Sequence, residues 1–266
     1  MSYHERYGLI FNPFIKDVKD IFVQTPDDRE VHHRLNYLLQ NKGFGVVTSP
    51  PGRGKTTTIR HWAKELNTSR YQVVYTPLST LTVLEFYKQL ATLLRLEPAN
   101  RKSDNFKLIQ AEIRRFAIEK QITIVTVIDE ASYISSGILN DLKMLFNFEM
   151  DAKDHAVVLL VGLPTLNNTL RLAANEPLRG RITMNYHLEP LNKIEGRNYI
   201  QGRLNAAKAT QSVFEESAFE AILNAAGGIP RIINKVCNAC LLIADSQKAP
   251  IVTDDIVMGA VNEVEF

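Results

Sequence analysis

The chain has 266 residues, 45% of them hydrophobic and 23% charged, with a formal net charge of +2. That balance fits an ordinary globular protein large enough for one full core and a smaller second one, and it excludes a global attraction to nucleic acid; any such contact needs a local patch. No apolar run approaches the about 18 residues that a bilayer crossing requires, and no basic-then-apolar leader opens the chain, so a cytoplasmic protein without a membrane segment is expected.

In chain order, residues 1–40 read as a lead-in to the first core. Its aromatic stretch Tyr7-Gly8-Leu9-Ile10-Phe11-Asn12-Pro13-Phe14 is broken by a proline and reads as a packed loop. It serves either as a hydrophobic latch or as an apolar wall for a purine base, with Asn12, Pro13 and Phe14 as the candidates. A helix follows over residues 28–41, with Val31, Leu35, Leu38 and Leu39 on one side.

The apolar stretch 44–47 leads into Ser49-Pro50-Pro51-Gly52-Arg53-Gly54-Lys55-Thr56-Thr57 and a helical pattern over 57–66. A strand, a Gly-rich turn, Lys-Thr and a helix make a nucleotide phosphate cradle: consecutive backbone N–H groups and the positive helix end face an anion. Lys55 is then expected at the β- and γ-phosphates of ATP and the Thr56 hydroxyl on Mg²⁺. The pattern G-x-x-x-x-G-K-[ST] is met except at its first position, where Ser49 stands.

Residues 71–75 read as a strand, 81–96 as a helix, 97–105 as a polar loop and 106–120 as a helix. The run Ile122-Thr123-Ile124-Val125-Thr126-Val127-Ile128 is β-branched and apolar throughout, as a strand buried on both faces must be, and it ends in Asp129-Glu130. In a phosphate-loop protein, such an Asp holds the metal shell and the next acid orients and deprotonates the attacking water.

A helix over 136–149, a second buried strand over 156–162, a helix over 164–174 and a strand over 184–188 complete the alternation that defines a parallel α/β sheet. From residue 191 the chain reads as four helices, 193–209, 215–226, 231–246 and 253–264, with no strand between them. The expected domains are the lead-in 1–40, an α/β core over 41–190 and a helical lid over 191–266. Cys237 and Cys240 have C-x-x-C spacing, but their flanks read as an apolar helix face and make them core residues.

The cradle, the strand ending in Asp-Glu and the C-terminal helices together resemble the AAA+ branch of phosphate-loop ATPases. Within it the chain is similar to the ExeA-type ATPases and the TniB/TnsC/MuB group of transposition regulators. The segments that carry this are Tyr7-Gly8-Leu9 with Asn12-Pro13-Phe14, the cradle, Asp129-Glu130-Ala131, Leu160-Val161-Gly162-Leu163-Pro164-Thr165-Leu166, Leu178-Arg179-Gly180-Arg181-Ile182 and Gly228-Ile229-Pro230-Arg231.

The resemblance implies a three-layer P-loop core with a helical lid, ATP hydrolysis assisted by Mg²⁺, and a homo-oligomer in the form of a ring or filament. It implies that Arg181, with Arg179 as a second candidate, reaches the nucleotide of a neighbouring subunit, and that Arg231 touches the γ-phosphate from the lid. Two departures, Ser49 in the cradle and Leu163 where relatives often carry a polar residue (Thr165 or Asn167 lies just beyond), imply slow hydrolysis.

Two jobs follow from the resemblance. The first is an ATP-dependent regulator of transposition that binds double-stranded DNA and recruits a transposase, with Arg101, Lys102, Ser103 and Lys107 facing phosphates. The alternative is the ATPase of a secretion-assembly protein acting on a protein or cell-envelope partner.

Overall fold

The computed structural model describes residues 5–16, 21–77 and 80–264. Residues 1–4 and 17–20 of the expected lead-in lie outside the described residues. The chain divides into two compact units, one of Arg29–Pro51 with Lys55–Leu188, the other of Met1–Asp28, Gly52–Gly54 and Glu189–Phe266.

The first unit is a doubly wound sheet. Its first helix, α1 (Pro26–Asn41), opens on a proline at a position whose N–H needs no partner. Thr25 and Asp28 close that end reciprocally: the Thr25 amide donates to Asp28 Oδ2 at 2.9 Å and the Asp28 amide to Thr25 Oγ1 at 3.2 Å. Then come β1 (Gly43–Thr48), α2 (Lys55–Glu65), β2 (Tyr71–Thr76), α3 (Val83–Leu93), α4 (Lys102–Ile118), β3 (Thr123–Ile128), α5 (Ser136–Leu145), β4 (Ala156–Gly162), α6 (Thr165–Arg171), α7 (Glu176–Arg179) and β5 (Ile182–His187).

The five strands lie in the order β2-β3-β4-β1-β5, all parallel. Alternate residues of the buried strands feed two cores. Val46, Ile124, Ile128, Val158 and Leu160 pack with α3 to α7, while Val47, Val125, Val127, Leu159 and Val161 pack with α1 and α2. This is why the strands read as unbroken apolar runs: neither face has a polar side. The α/β expectation is met.

Local differences have local causes. α4 starts at Lys102 and not near residue 106, because buried Asn105 donates to the carbonyls of Ala99 (2.8 Å) and Arg101 (3.0 Å) and accepts from the Ala99 amide, knitting the segment before it into a helix start. α5 stops at Leu145, short of 149, because Phe146 and Phe148 turn into the core.

The second unit holds α8 (Lys193–Ala206), α9 (Glu216–Ala226), α10 (Pro230–Ser246) and α11 (Asp254–Val264). Asn192 and Glu195 form a capping box that fixes the start of α8. Tyr7, Leu9, Phe11 and Phe14 bury with Ile200, Phe214, Phe219 and Ile233, so the aromatic stretch is part of this helical core. Gly228 must be glycine: its φ is +70° and a Cβ there would run into the Leu191 carbonyl, whose own amide donates to Gly228 O at 2.9 Å.

Cys237 and Cys240 are buried on the inner face of α10. Burial pushes the Cys240 thiol up to about 12 and the Cys237 thiol well above its usual range. At pH 8 neither carries appreciable thiolate, the reactive form. The native protein is therefore expected to leave both thiols unmodified by a disulfide reagent over an hour and to release both in guanidinium, as read by absorbance.

Candidate functional site

The end of β1 and the start of α2 belong to the sheet unit and flank the phosphate loop, whose Gly52–Gly54 are counted with the helical unit. Gly52 (φ +83°) and Gly54 (φ +100°) take backbone conformations that side chains resist, which lets the chain make the tight turn that a phosphate cradle requires. Lys55 is buried at the first position of α2 and its Nζ donates to Ser49 O at 2.8 Å, to Ser49 Oγ at 3.2 Å and to Pro50 O at 3.3 Å. Ser49, the residue that departs from the pattern, thus holds the lysine with both of its oxygens.

One residue further, Thr56 Oγ1 donates to Asp129 Oδ2 at 2.8 Å. Asp129 follows β3, is 4% exposed, and takes a second hydrogen bond on Oδ2 from the Tyr75 phenol (2.8 Å) and one on Oδ1 from the Glu130 amide (2.9 Å). Burial and the bond to Asp129 push the Tyr75 phenol far above its usual range, so it stays protonated and always donates. A buried carboxylate beside a hydroxyl is a hard-oxygen donor set of the kind Mg²⁺ takes. Glu130 has a left-handed backbone (φ 52°, ψ 34°) and an exposed side chain, so the two adjacent acids point to different surroundings.

Beyond β4, Asn167 joins a polar network at the same strand ends. Its Nδ2 donates to Thr48 Oγ1 at 3.2 Å and its Oδ1 accepts from Asn185 at 3.2 Å, while Thr48 Oγ1 lies 3.1 Å from His187 Nδ1. Thr165, the other polar candidate there, is exposed. Ser132 Oγ accepts from the Leu163 amide at 2.6 Å and ties the turn after Glu130 to the end of β4. Tyr75, Thr48, His187 and Ser132 carry no motif; strand order brings them to the site, and sequence spacing gives no sign of it.

In the helical unit, the Arg231 amide donates to Gly52 O at 3.2 Å, and a Cβ on Gly52 would lie 2.9 Å from Arg231 Cβ, so this helix start and the loop glycine meet closely. The Arg53 guanidinium lies 3.8 Å from Glu189. Asn12, Pro13 and Phe14 are all buried: Asn12 donates to Asn238 Oδ1 at 2.6 Å and accepts from the Phe14 amide, and Phe14 meets Phe214 edge-on.

Two expected contact residues are engaged in their own fold. Arg181 donates to the carbonyls of Lys143 (2.9 Å) and Phe146 (3.1 Å) and to Asp154 (3.0 Å), over the Phe44 ring, with its side chain 13% exposed. Arg179 instead has a 45% exposed side chain, one carbonyl bond to Arg171 and a loose approach to Glu176. Lys102 lies 2.7 Å from Oδ2 of buried Asp141. Arg101, Ser103 and Lys107 are exposed, but Asp104 stands among them and accepts from Ser103.

Residues 37–170 match the AAA domain family. The chain is 31% identical over 265 residues to "General secretion pathway protein A" of Aeromonas hydrophila, a match covering 97% of this chain and 48% of that protein; it thus spans about half that relative's length. Among solved structures it is similar to Cdc6p from Pyrobaculum aerophilum (TM-score 0.74, 16% identity, 97% of this chain and 72% of that one). It is also similar to the Aeropyrum pernix ORC2 protein in its ADPNP-ADP complexes (TM-score 0.70, 16% identity, 96% and 71%).

The geometry separates two kinds of arginine. Arg181→Ala is expected to cost about 2–3 kcal/mol of unfolding free energy in urea, because it strips two carbonyls and a carboxylate of a charged donor. Arg179→Ala should stay within about 0.5 kcal/mol of the wild type. Lys55→Ala should weaken ATP binding roughly 100-fold in equilibrium titration with little change in fold.

Proposed function

This chain belongs to the AAA domain family and is an ATPase domain of that type, and from that premise we propose that it is a slow, Mg²⁺-ATP-driven switch working as a homo-oligomer on a macromolecular partner. The observation that carries the reading is the Lys55, Thr56 and Asp129 arrangement, with Thr56 Oγ1 2.8 Å from Asp129. Thr56 and Asp129 would hold Mg²⁺, which when bound neutralises charge on the phosphate oxygens.

In this reading the protein's own groups divide the remaining work. The loop amides and Lys55 bind and orient the triphosphate. Glu130 orients a water molecule and takes its proton as the oxygen attacks the γ-phosphorus and the bond to the β-phosphate bridge breaks. Asn167, bonded to Thr48 beside the loop, is the polar residue assigned to sensing the γ-phosphate from the sheet, and Arg231 is assigned that role from the helical lid. The buried Asn12-Pro13-Phe14 stretch is assigned to the base side. Arg179, being exposed, is assigned the role in trans, while the internal bonds of Arg181 favour an anchoring role.

Two partner classes compete. The 31% identity to a secretion-pathway protein across nearly the whole chain favours a protein or cell-envelope partner. No helix among the described residues is long and apolar enough to cross a membrane. The transposition reading, with double-stranded DNA and a transposase as partners, is supported by the motif resemblance and by exposed Arg101 and Lys107, and weakened by the Lys102–Asp141 pair.

Glu130→Gln should keep ATP affinity within about threefold and lower turnover roughly 100-fold or more, with the oligomer persisting in ATP by light scattering; unchanged turnover would remove Glu130 from the role of base. Anisotropy with duplex DNA and ATP across a salt series decides the partner. Binding that falls steeply with salt supports the DNA reading, and no binding at low salt leaves the secretion-pathway one.

A further inference from the structure

Tyr75 belongs to none of the motifs, yet its phenol oxygen lies 2.8 Å from Asp129 Oδ2. That oxygen also accepts from Thr56 Oγ1 at 2.8 Å, while Oδ1 accepts from the Glu130 amide at 2.9 Å. Three donors from three different segments fix the plane and rotation of one carboxylate. Without the phenol, Oδ2 would keep Thr56 as its hydrogen-bond donor but lose the support from the opposite strand.

Sheet order makes this possible. β2 is the edge strand beside β3, and Tyr75 pairs in register with Val127, two residues before Asp129. A long side chain standing at that strand end reaches forward to the carboxylate that follows the neighbouring strand. Tyr75 is 41% exposed and does not belong to the buried clusters, so the hydroxyl is the part of its side chain with a defined partner. A residue kept for packing would be buried and could dispense with its oxygen.

We propose that Tyr75 is a positioning residue for the metal-binding carboxylate, holding Asp129 in the orientation that Thr56 and Mg²⁺ require. It rests on the reading of Thr56 and Asp129 as the metal side of the site. Preorganisation of this kind acts on metal affinity, because the cost of ordering the ligand is met by the fold and not by the ion.

The test uses the full chain and its Tyr75→Phe variant, which removes only the oxygen. Equilibrium binding of a fluorescent ATP analogue is titrated with Mg²⁺, and turnover is followed over the same series. The variant should need about five- to tenfold more Mg²⁺ for half its effect, bind the analogue within twofold of wild type in EDTA, and recover wild-type turnover within twofold at saturating Mg²⁺. A Mg²⁺ titration that overlays the wild type overturns the proposal. So does a loss of binding in EDTA, or turnover that excess Mg²⁺ fails to restore, since either marks a structural role. If the wild type itself shows no response to Mg²⁺, the metal reading of Thr56 and Asp129 falls and the proposal with it; a responding wild type whose curve the variant overlays removes Tyr75 alone.

Discussion

The hydrogen bond from Thr56 to Asp129 is the contact on which the rest of the site depends. β1 and β3, the strands before these two residues, are not neighbours: β4 lies between them. A hydroxyl on the first turn of α2 meets a carboxylate beyond the end of β3 only if β1, β4 and β3 end at one level. Parallel pairing supplies that, since every strand of a doubly wound sheet ends at the same edge. The demand that Val46, Val47, Val125, Val127, Leu159 and Leu160 be buried on both faces is therefore also what brings the two residues together.

At that edge, two consecutive acids meet opposite conditions. Asp129 is buried and holds three donors; Glu130, one residue on, turns into the left-handed region with its side chain exposed. The assignment of the two follows from what each job requires. A metal ligand has to be fixed, and three donors fix the Asp129 carboxylate. A group that takes a proton from water needs room to meet that water. The left-handed backbone at Glu130 is uncommon for such a residue, and the Ser132–Leu163 bond pins the turn that follows it.

What could be read from sequence was whatever is local. Strand β3 announces itself by its β-branched run, the loop by Gly52, Gly54 and Lys55, and α8 by its helical pattern from Lys193. The α/β architecture follows from the alternation of such segments, and the fold agrees with it. The contacts of Tyr75 with Asp129 and of Asn167 with Thr48 span 54 and 119 positions and exist only once the strand order is known. Element ends slipped for the same reason. Asn105 reads as a loop residue until its bonds to Ala99 and Arg101 are seen, and Phe148 continues a helical pattern until the core claims it.

Isolated cations are the residues least placed by local sequence, and the reason is physical. A carboxylate or lysine inside a motif is placed by the backbone around it, whereas an isolated arginine or lysine is a long side chain that takes the best acceptors within its reach. Arg181 finds two helix-end carbonyls, Asp154 and the face of Phe44; Lys102 finds Asp141. Releasing Arg181 to serve another subunit would leave the carbonyls of Lys143 and Phe146 and the Asp154 carboxylate without that donor, at a cost of a few kcal/mol. Moving Arg179 forfeits one carbonyl bond and a distant carboxylate. By this measure Arg179 is the cheaper of the two arginines to release, and Lys102, paired with buried Asp141, is held more firmly than exposed Arg101 and Lys107.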